Sequence, residues 1–270
     1  MPTDMVPARF YDELNKLQPF CQIGRYDSHI ATAPLPPKQA LLPGLFLYCH
    51  ARGYHLPSWE EFRLLYIDAV EQHFNFQTKF SRNFDIGADG TPTPKPGLLF
   101  RMSGWYEDSI AHAFLYSVLV LAYEDIEQSS FVLFDARADW KFKADFVLIQ
   151  CGIETKAVRI SIAGQNEDNR ARVEEDRDRQ EREMKTNNSE SSQWHNVTYD
   201  KLPLVTITKS RGAVITKNNF RLFSPEAMEQ LMADIDAKTG HPRLRPVPIG
   251  KLLRFNFKRG YSVEELLKQL

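Results

Sequence analysis

Three residues in the stretch KADFVLIQCGIETKAVRISIAG, positions 143 to 164, have side chains suited to hydrolysing a phosphodiester: Asp145, Glu154 and Lys156. At neutral pH that reaction needs a hard cation to neutralise charge on the scissile phosphate and lower the pKa of a bound water. Carboxylate oxygens are the ligands magnesium prefers, so Asp145 and Glu154 are the candidate metal ligands, with the ammonium of Lys156 two residues from Glu154. An ordinary hairpin uses the same residues differently. Asp145 then caps a strand, and Glu154 and Lys156 are solvated flanks of a turn.

Either role depends on the elements around the triplet. Glu107 to Tyr123 reads as a mostly apolar helix, and SFVLF (Ser130 to Phe134) as a short strand. Ala144 to Ile149 is the second strand, and Lys156 to Ala163 the third, with Val158, Ile160 and Ile162 alternating against Arg159, Ser161 and Ala163. Asn166 to Lys185 is a helix of almost continuous charge, and PLVTIT (Pro203 to Thr208) a fourth strand. The order is αβββαβ.

That order, with an aspartate opening the second strand and an acid-x-lysine triplet at the third, resembles the core of the PD-(D/E)xK, or restriction-endonuclease-like, nuclease superfamily over roughly residues 105 to 208. The resemblance implies an α/β core in which Asp145 and Glu154 bind magnesium, Lys156 orients or activates the attacking water, and the first-helix Glu107 assists. It implies a magnesium-dependent DNA endonuclease, a hydrolase. The alternative is a catalytically inactive member of the same fold that acts as a DNA-binding or assembly subunit.

The register decides between these. If Cys151-Gly152 is a two-residue turn, Ile149 lies opposite Glu154 and Asp145 opposite Val158. Asp145 and Glu154 are then displaced by about 13 Å, at ~3.3 Å per residue. One magnesium, with ligands at ~2.1 Å, cannot be shared across that gap. A longer turn, or a strand that ends early near Leu148, shifts the midpoint and brings the two acids together, although the apolar run through Ile149 argues against the early end. In a slightly different register Arg159 or Ser161 takes the place of the nuclease acid, and VRISIAG then keeps the strand and loses the site.

The flanking regions differ from this core. Residues 1 to 97 read as a helical N-terminal region interrupted by PLPP at Pro34 to Pro37. Within it Ser58, with Glu61 three residues on, forms a capping-box signature for a helix carrying Phe62, Leu65, Tyr66, Ala69, Val70 and His73. GADGTPTPKPG, Gly87 to Gly97, marks the boundary with the core at 98 to 210. Residues 211 to 270 are a basic extension. From Lys238 to Gly260 it holds Arg243, Arg245, Lys251, Arg254, Lys258 and Arg259 with no acid, and Phe255 and Phe257 lie among them. Cations interleaved with aromatics suit phosphates and exposed bases, while a basic surface balancing acidic segments is the plainer reading. SVEELLKQL at the end reads as a short docked helix.

Composition narrows the classes further. The formal net charge of -1 excludes a polycationic nucleic-acid coat. Three scattered cysteines, Cys21, Cys49 and Cys151, form neither a disulfide framework nor a zinc knuckle, so a reducing cytoplasm is expected. The longest apolar run, Ile110 to Tyr123, is short of the ~20 residues a membrane helix needs. His50 and His55 read as loop histidines and His112 as a hydrogen-bonded core histidine. Phosphate-cradling glycine loops and serine-hydrolase elbows are absent. The expected partners are nucleic acid, chiefly DNA, and a protein, but no membrane.

Overall fold

The computed structural model describes residues 10–21, 55–73, 83–123, 130–133, 144–150, 156–163, 193–194, 197–198, 202–209 and 212–240. The chain is mixed α/β. The helices among the described residues are α1 (Phe10–Lys16), α2 (Trp59–His73), α3 (Pro96–Tyr123) and α4 (Pro225–Thr239). The strands are β1 (Phe84–Ile86), β2 (Pro92–Pro94), β3 (Ser130–Leu133), β4 (Phe146–Gln150), β5 (Lys156–Ala163), β6 (Gln193–Trp194), β7 (Val197–Thr198), β8 (Leu204–Thr208), β9 (Val214–Lys217) and β10 (Phe220–Phe223). Of the described residues, those up to Ser117 and Thr216–Leu222 form one compact unit; those within Val118–Ile215 and from Phe223 onward form a second.

In the first unit the capping box of α2 forms as its sequence specifies. Glu61 N donates to Ser58 Oγ at 3.3 Å, and Ser58 N donates back to Glu61 Oε2 at 2.8 Å. Phe62 and Tyr66, one turn apart, are fully buried. Tyr106 of α3 packs its ring 5.2 Å from Phe62, 5.6 Å from Trp59 and 5.4 Å from Phe220, and its hydroxyl donates to Pro57 O at 2.8 Å. The apolar ring is thereby buried while its polar end is satisfied.

The Gly-Pro segment at 87–97 is a turn followed by a helix start. β1 and β2 pair antiparallel across the turn at 87–91, so that β2 lies within the segment, with Gly90 at φ 82° and Asp89 Oδ1 accepting from Thr91 N at 3.0 Å. α3 then begins at Pro96, eleven residues before the expected start at Glu107, so the expected boundary at residue 97 falls in its first turn. Proline is compatible with that position because the first helical N–H groups have no intrahelical partner.

The second unit is built on a four-stranded sheet of order β3-β4-β5-β8. β3, β4 and β5 are an antiparallel meander; β8 is parallel to β5, pairing Arg159 with Leu204 and Ala163 with Thr208. A parallel neighbour requires a crossover, which the residues between 163 and 204 supply. The charged helix expected at 166–185 lies outside the described residues. Every residue of β4 is buried, as a central strand covered on both faces requires.

α4 was not anticipated, yet its ends carry ordinary signals. Ser224 Oγ accepts from Ala227 N at 3.2 Å, Pro225 opens the helix, and Gly240 closes it at φ 65°. Met228, Leu231, Met232 and Ile235 are its buried stripe. Each such side chain contributes roughly 1.5–3 kcal/mol by burial. Tyr123 is fully buried against it, its hydroxyl 2.7 Å from Asp236 Oδ1. Among the described residues no helix is long and apolar enough to cross a membrane.

Candidate functional site

β4 and β5 pair with Gln150 opposite Lys156 and Phe146 opposite Ile160. The connection is therefore the five residues 151–155, in place of the expected two-residue turn. The apolar run ends at Ile149 but the strand does not: Gln150 continues the ladder, and Lys156 begins the return. Glu154 falls in that connection, outside the described residues, so its distance to Asp145 is not part of this geometry.

Continued one step beyond the Phe146–Ile160 pair, the register sets Asp145, just ahead of β4, opposite Ser161. Directly opposed residues share a face, so Ser161 occupies the cross-strand place next to Asp145. Lys156 lies five residues back along β5, an odd number, and hence on the other face of the sheet. Along the strand the two are separated by about 16 Å at ~3.3 Å per residue. With the register shifted by an odd number from the two-residue turn, Asp145 and Lys156 are placed on opposite faces.

Both groups have local roles in this arrangement. Asp145 Oδ2 accepts from Ile162 N at 2.6 Å, so the carboxylate continues the β4–β5 ladder past its last backbone pair. The Lys156 Nζ lies beside the C-terminal cap of α4, 3.4 Å from where a side chain on Gly240 would begin. An ammonium is favourable there because the helix ends in unsatisfied carbonyls. On the face shared with Asp145, Arg159 is 7% exposed, and its guanidinium donates from Nε (3.2 Å) and a terminal nitrogen (3.0 Å) to Leu202 O.

Glu107, the expected assisting acid, belongs to the first unit. It is 5% exposed and forms a two-pronged pair with Arg221: Nε donates to Oε1 at 2.7 Å and a terminal nitrogen donates to Oε2 at 2.5 Å. The hydrogen bond to Glu107 is the main cause holding the Arg221 guanidinium above its ordinary pKa, followed by burial acting the other way and by the charges of Glu107 and Asp108. The pairing is continued by the neighbouring residues, since Tyr106 packs on Phe220. Arg221 was not singled out in the sequence, being 114 residues from Glu107 and next to no recognisable motif.

The histidines divide as their settings require. His112 is buried in α3, and its Nδ1 donates to Asp108 O at 2.6 Å, which fixes the tautomer because a carbonyl can only accept. His55 is more exposed, but its Nδ1 lies 2.5 Å from Oε2 of the buried Glu13, which also pairs with Lys16. Glu13 was missed because nothing in FYDELNK distinguishes it from a surface helix acid. Arg243, Arg245, Lys251, Arg254, Phe255, Phe257, Lys258 and Arg259 all lie outside the described residues, as does the terminal SVEELLKQL.

Magnesium fits the described residues poorly. Asp145 has a serine across the strand pair and a backbone N–H on one oxygen, and Glu107 has both oxygens on Arg221. Among the described residues no group of three or more histidine, cysteine or acidic side chains is placed to hold an ion. No step of metal-assisted hydrolysis is therefore derived from this geometry. The chain matches no protein-family model, no curated protein and no solved structure.

Proposed function

We propose that this chain is a nucleic-acid-handling protein with a restriction-endonuclease-like core, acting as a DNA-binding or assembly subunit. The observation that carries the reading is Asp145 just ahead of β4, its carboxylate accepting from Ile162 N, beside a sheet reached in the order helix, three antiparallel strands, parallel strand. The described helix and strands follow the order of the αβββαβ core that the sequence resembles, whose second helix, expected at 166–185, lies outside the described residues. The Asp145 carboxylate, meanwhile, is spent on the Ile162 N–H, and the cross-strand neighbour offers a hydroxyl in place of a second acid. Nucleic acid is the partner favoured by the run from Lys238 to Gly260, where cations and phenylalanines alternate without an acid.

The test is binding of the full chain to duplex and single-stranded DNA across a salt series, together with a nicking assay in magnesium or manganese. Each phosphate contact adds about -0.9 to the slope of log affinity against log salt on duplex DNA, so replacing Arg254 and Lys258 by alanine lowers its magnitude by up to about 2. Binding without divalent-dependent nicking is the expected result. Nicking that Asp145→Asn abolishes would return the chain to the endonuclease class with Asp145 as its metal ligand. Absence of salt-dependent binding to DNA or RNA would leave a protein adaptor.

A further inference from the structure

Among the described residues β8 is the outermost strand of the sheet, and its backbone polarity can be read from its neighbour. Arg159 N donates to Pro203 O at 2.8 Å, while Arg159 is in register with Leu204. In a parallel ladder alternate residues turn both backbone groups to the same neighbour, so Pro203, Val205 and Ile207 address β5, and Leu204 and Thr206 address the outer side. Lys238 Nζ donates to Leu204 O there, at 2.9 Å. Among the described residues, none forms a backbone pair with the outward N–H and C=O of the exposed Thr206.

A groove of about 190 Å³ runs beside this edge, lined by Thr206 and Ile207 and by Ala227, Gln230, Leu231 and Asp234 of α4. Successive strand residues point to opposite faces, so they line one groove only where the strand is seen edge-on. The helix residues fall at i, i+3, i+4 and i+7, a single face. The volume is smaller than the ~300–1,000 Å³ of sites for drug-sized ligands and suits one or two side chains. Asp234 is the charged group among these six, and its Oδ1 accepts from Gln230 Nε2 at 2.9 Å.

We infer that this groove receives an extended segment of a partner protein, added to the Thr206 edge as a further strand, with a lysine or arginine of that segment reaching Asp234. Main-chain pairing at an open edge supplies affinity without regard to sequence, and alternate side chains entering the space beside the helix supply selectivity. The inference does not depend on nucleic-acid binding, since every residue it uses lies on β8 or α4.

The probe is a blocked hexapeptide of alternating valine and lysine, added to the full chain while amide exchange is followed residue by residue. The Thr206 amide should exchange quickly in the free chain and slow about tenfold when the peptide is at ten times its Kd. A valine-glutamate peptide, and the valine-lysine peptide methylated on alternate backbone nitrogens, should have no effect. Ala227→Phe should abolish the slowing by filling the groove, and Asp234→Asn should weaken binding about 2- to 5-fold, as expected for a partly exposed ion pair. Either variant could disturb α4, so unchanged exchange at Met232 is the control for folding. A Thr206 amide already protected in the free chain overturns the inference: protection that depends on chain concentration identifies a second copy as the occupant, and independence identifies another segment of the same chain. Equal slowing by the lysine and glutamate peptides overturns the assigned chemistry, and no slowing by either overturns the site.

Discussion

The two units satisfy their buried polar groups in different ways. In the first, side chains far apart in sequence pair with each other or reach a distant carbonyl: Glu107 with Arg221, Glu13 with His55, and Asn218 Nδ2 with Leu14 O and Leu17 O at 2.8 and 2.9 Å. In the second, apart from the long-range bond of Tyr123 to Asp236, side chains bond backbone groups at strand ends and edges: Asp145 on Ile162 N, Arg159 on Leu202 O, Lys238 on Leu204 O. The difference has an energetic consequence. Removing a member of a charged pair leaves its counterpart without compensation, whereas removing a side chain from a strand end leaves one backbone group that water can reach.

The largest effect should therefore come from Glu107→Ala. It leaves the Arg221 guanidinium without its two-pronged partner, and Arg221 is 39% exposed, so part of the loss is recovered by water. A destabilisation of about 3 kcal/mol is expected in denaturant unfolding, the low end for a broken buried pair. The double variant Glu107→Ala with Arg221→Met should recover most of it. A loss under about 1 kcal/mol in the single variant would place the pair with ordinary surface bridges and remove the contrast between the units.

Asp145→Ala comes next, at about 2 kcal/mol, the value of a hydrogen bond to a charged group. Asp145→Asn retains an acceptor for Ile162 N and should cost less than half as much. This ordering sharpens the comparison because a carboxylate kept for metal binding would behave in the opposite way. There, removing the charge would leave stability unchanged or improve it and would eliminate any divalent-dependent activity. The same two variants thus report on the ladder through unfolding and on chemistry through nicking.

These two acids also show what was legible in the sequence. Strand and helix existence follows from local patterning, which is why β5 spans Lys156–Ala163 as expected and the Ser58–Glu61 box forms. Which residue faces which does not follow from it. The β4–β5 register depends on where an apolar run stops and how many residues the connection holds, and one residue of either reverses every face. Gln150 is polar and yet belongs to the buried strand, with its Oε1 lacking a hydrogen-bond partner, so polarity was a poor marker of the strand's end. Glu107 was identifiable as an acid in an apolar helix but its partner was not. α4 could have been read from Ser224-Pro225-Glu226 and Gly240, signals that were present and local.

Ser58→Ala is expected to cost about 1 kcal/mol, a usual value for an N-cap. Its effect should fall on α2 alone, with amide exchange accelerated at Glu61 and Phe62. A cost near that of Glu107→Ala would mean that the first unit depends on this helix start as strongly as on its ion pair.

Tyr66 should have the smallest effect at neutral pH, and with Arg63 Nε and Ser109 Oγ it is one of the exceptions within the first unit. Its side chain is fully buried and its hydroxyl has no hydrogen-bond partner, while its ring packs 5.6 Å from that of Trp105. Tyr66→Phe keeps the ring and removes an unsatisfied polar group, so stability should be unchanged or rise by up to about 1 kcal/mol. Burial also pushes the pKa of the Tyr66 hydroxyl above its ordinary value of 10.0. In the unfolded chain this group loses its proton from about pH 10 upward, while in the folded chain it keeps it. The unfolded state then binds fewer protons, and stability falls as pH rises through that window. The phenylalanine variant lacks this component, so its advantage over wild type should widen above pH 10, approaching about 1.4 kcal/mol per pH unit. Tyr11, whose pKa is raised by burial as well, is common to both proteins and cancels in the difference. A gap that stays constant between pH 8 and 11 would show that the Tyr66 hydroxyl is hydrated or bonded in solution.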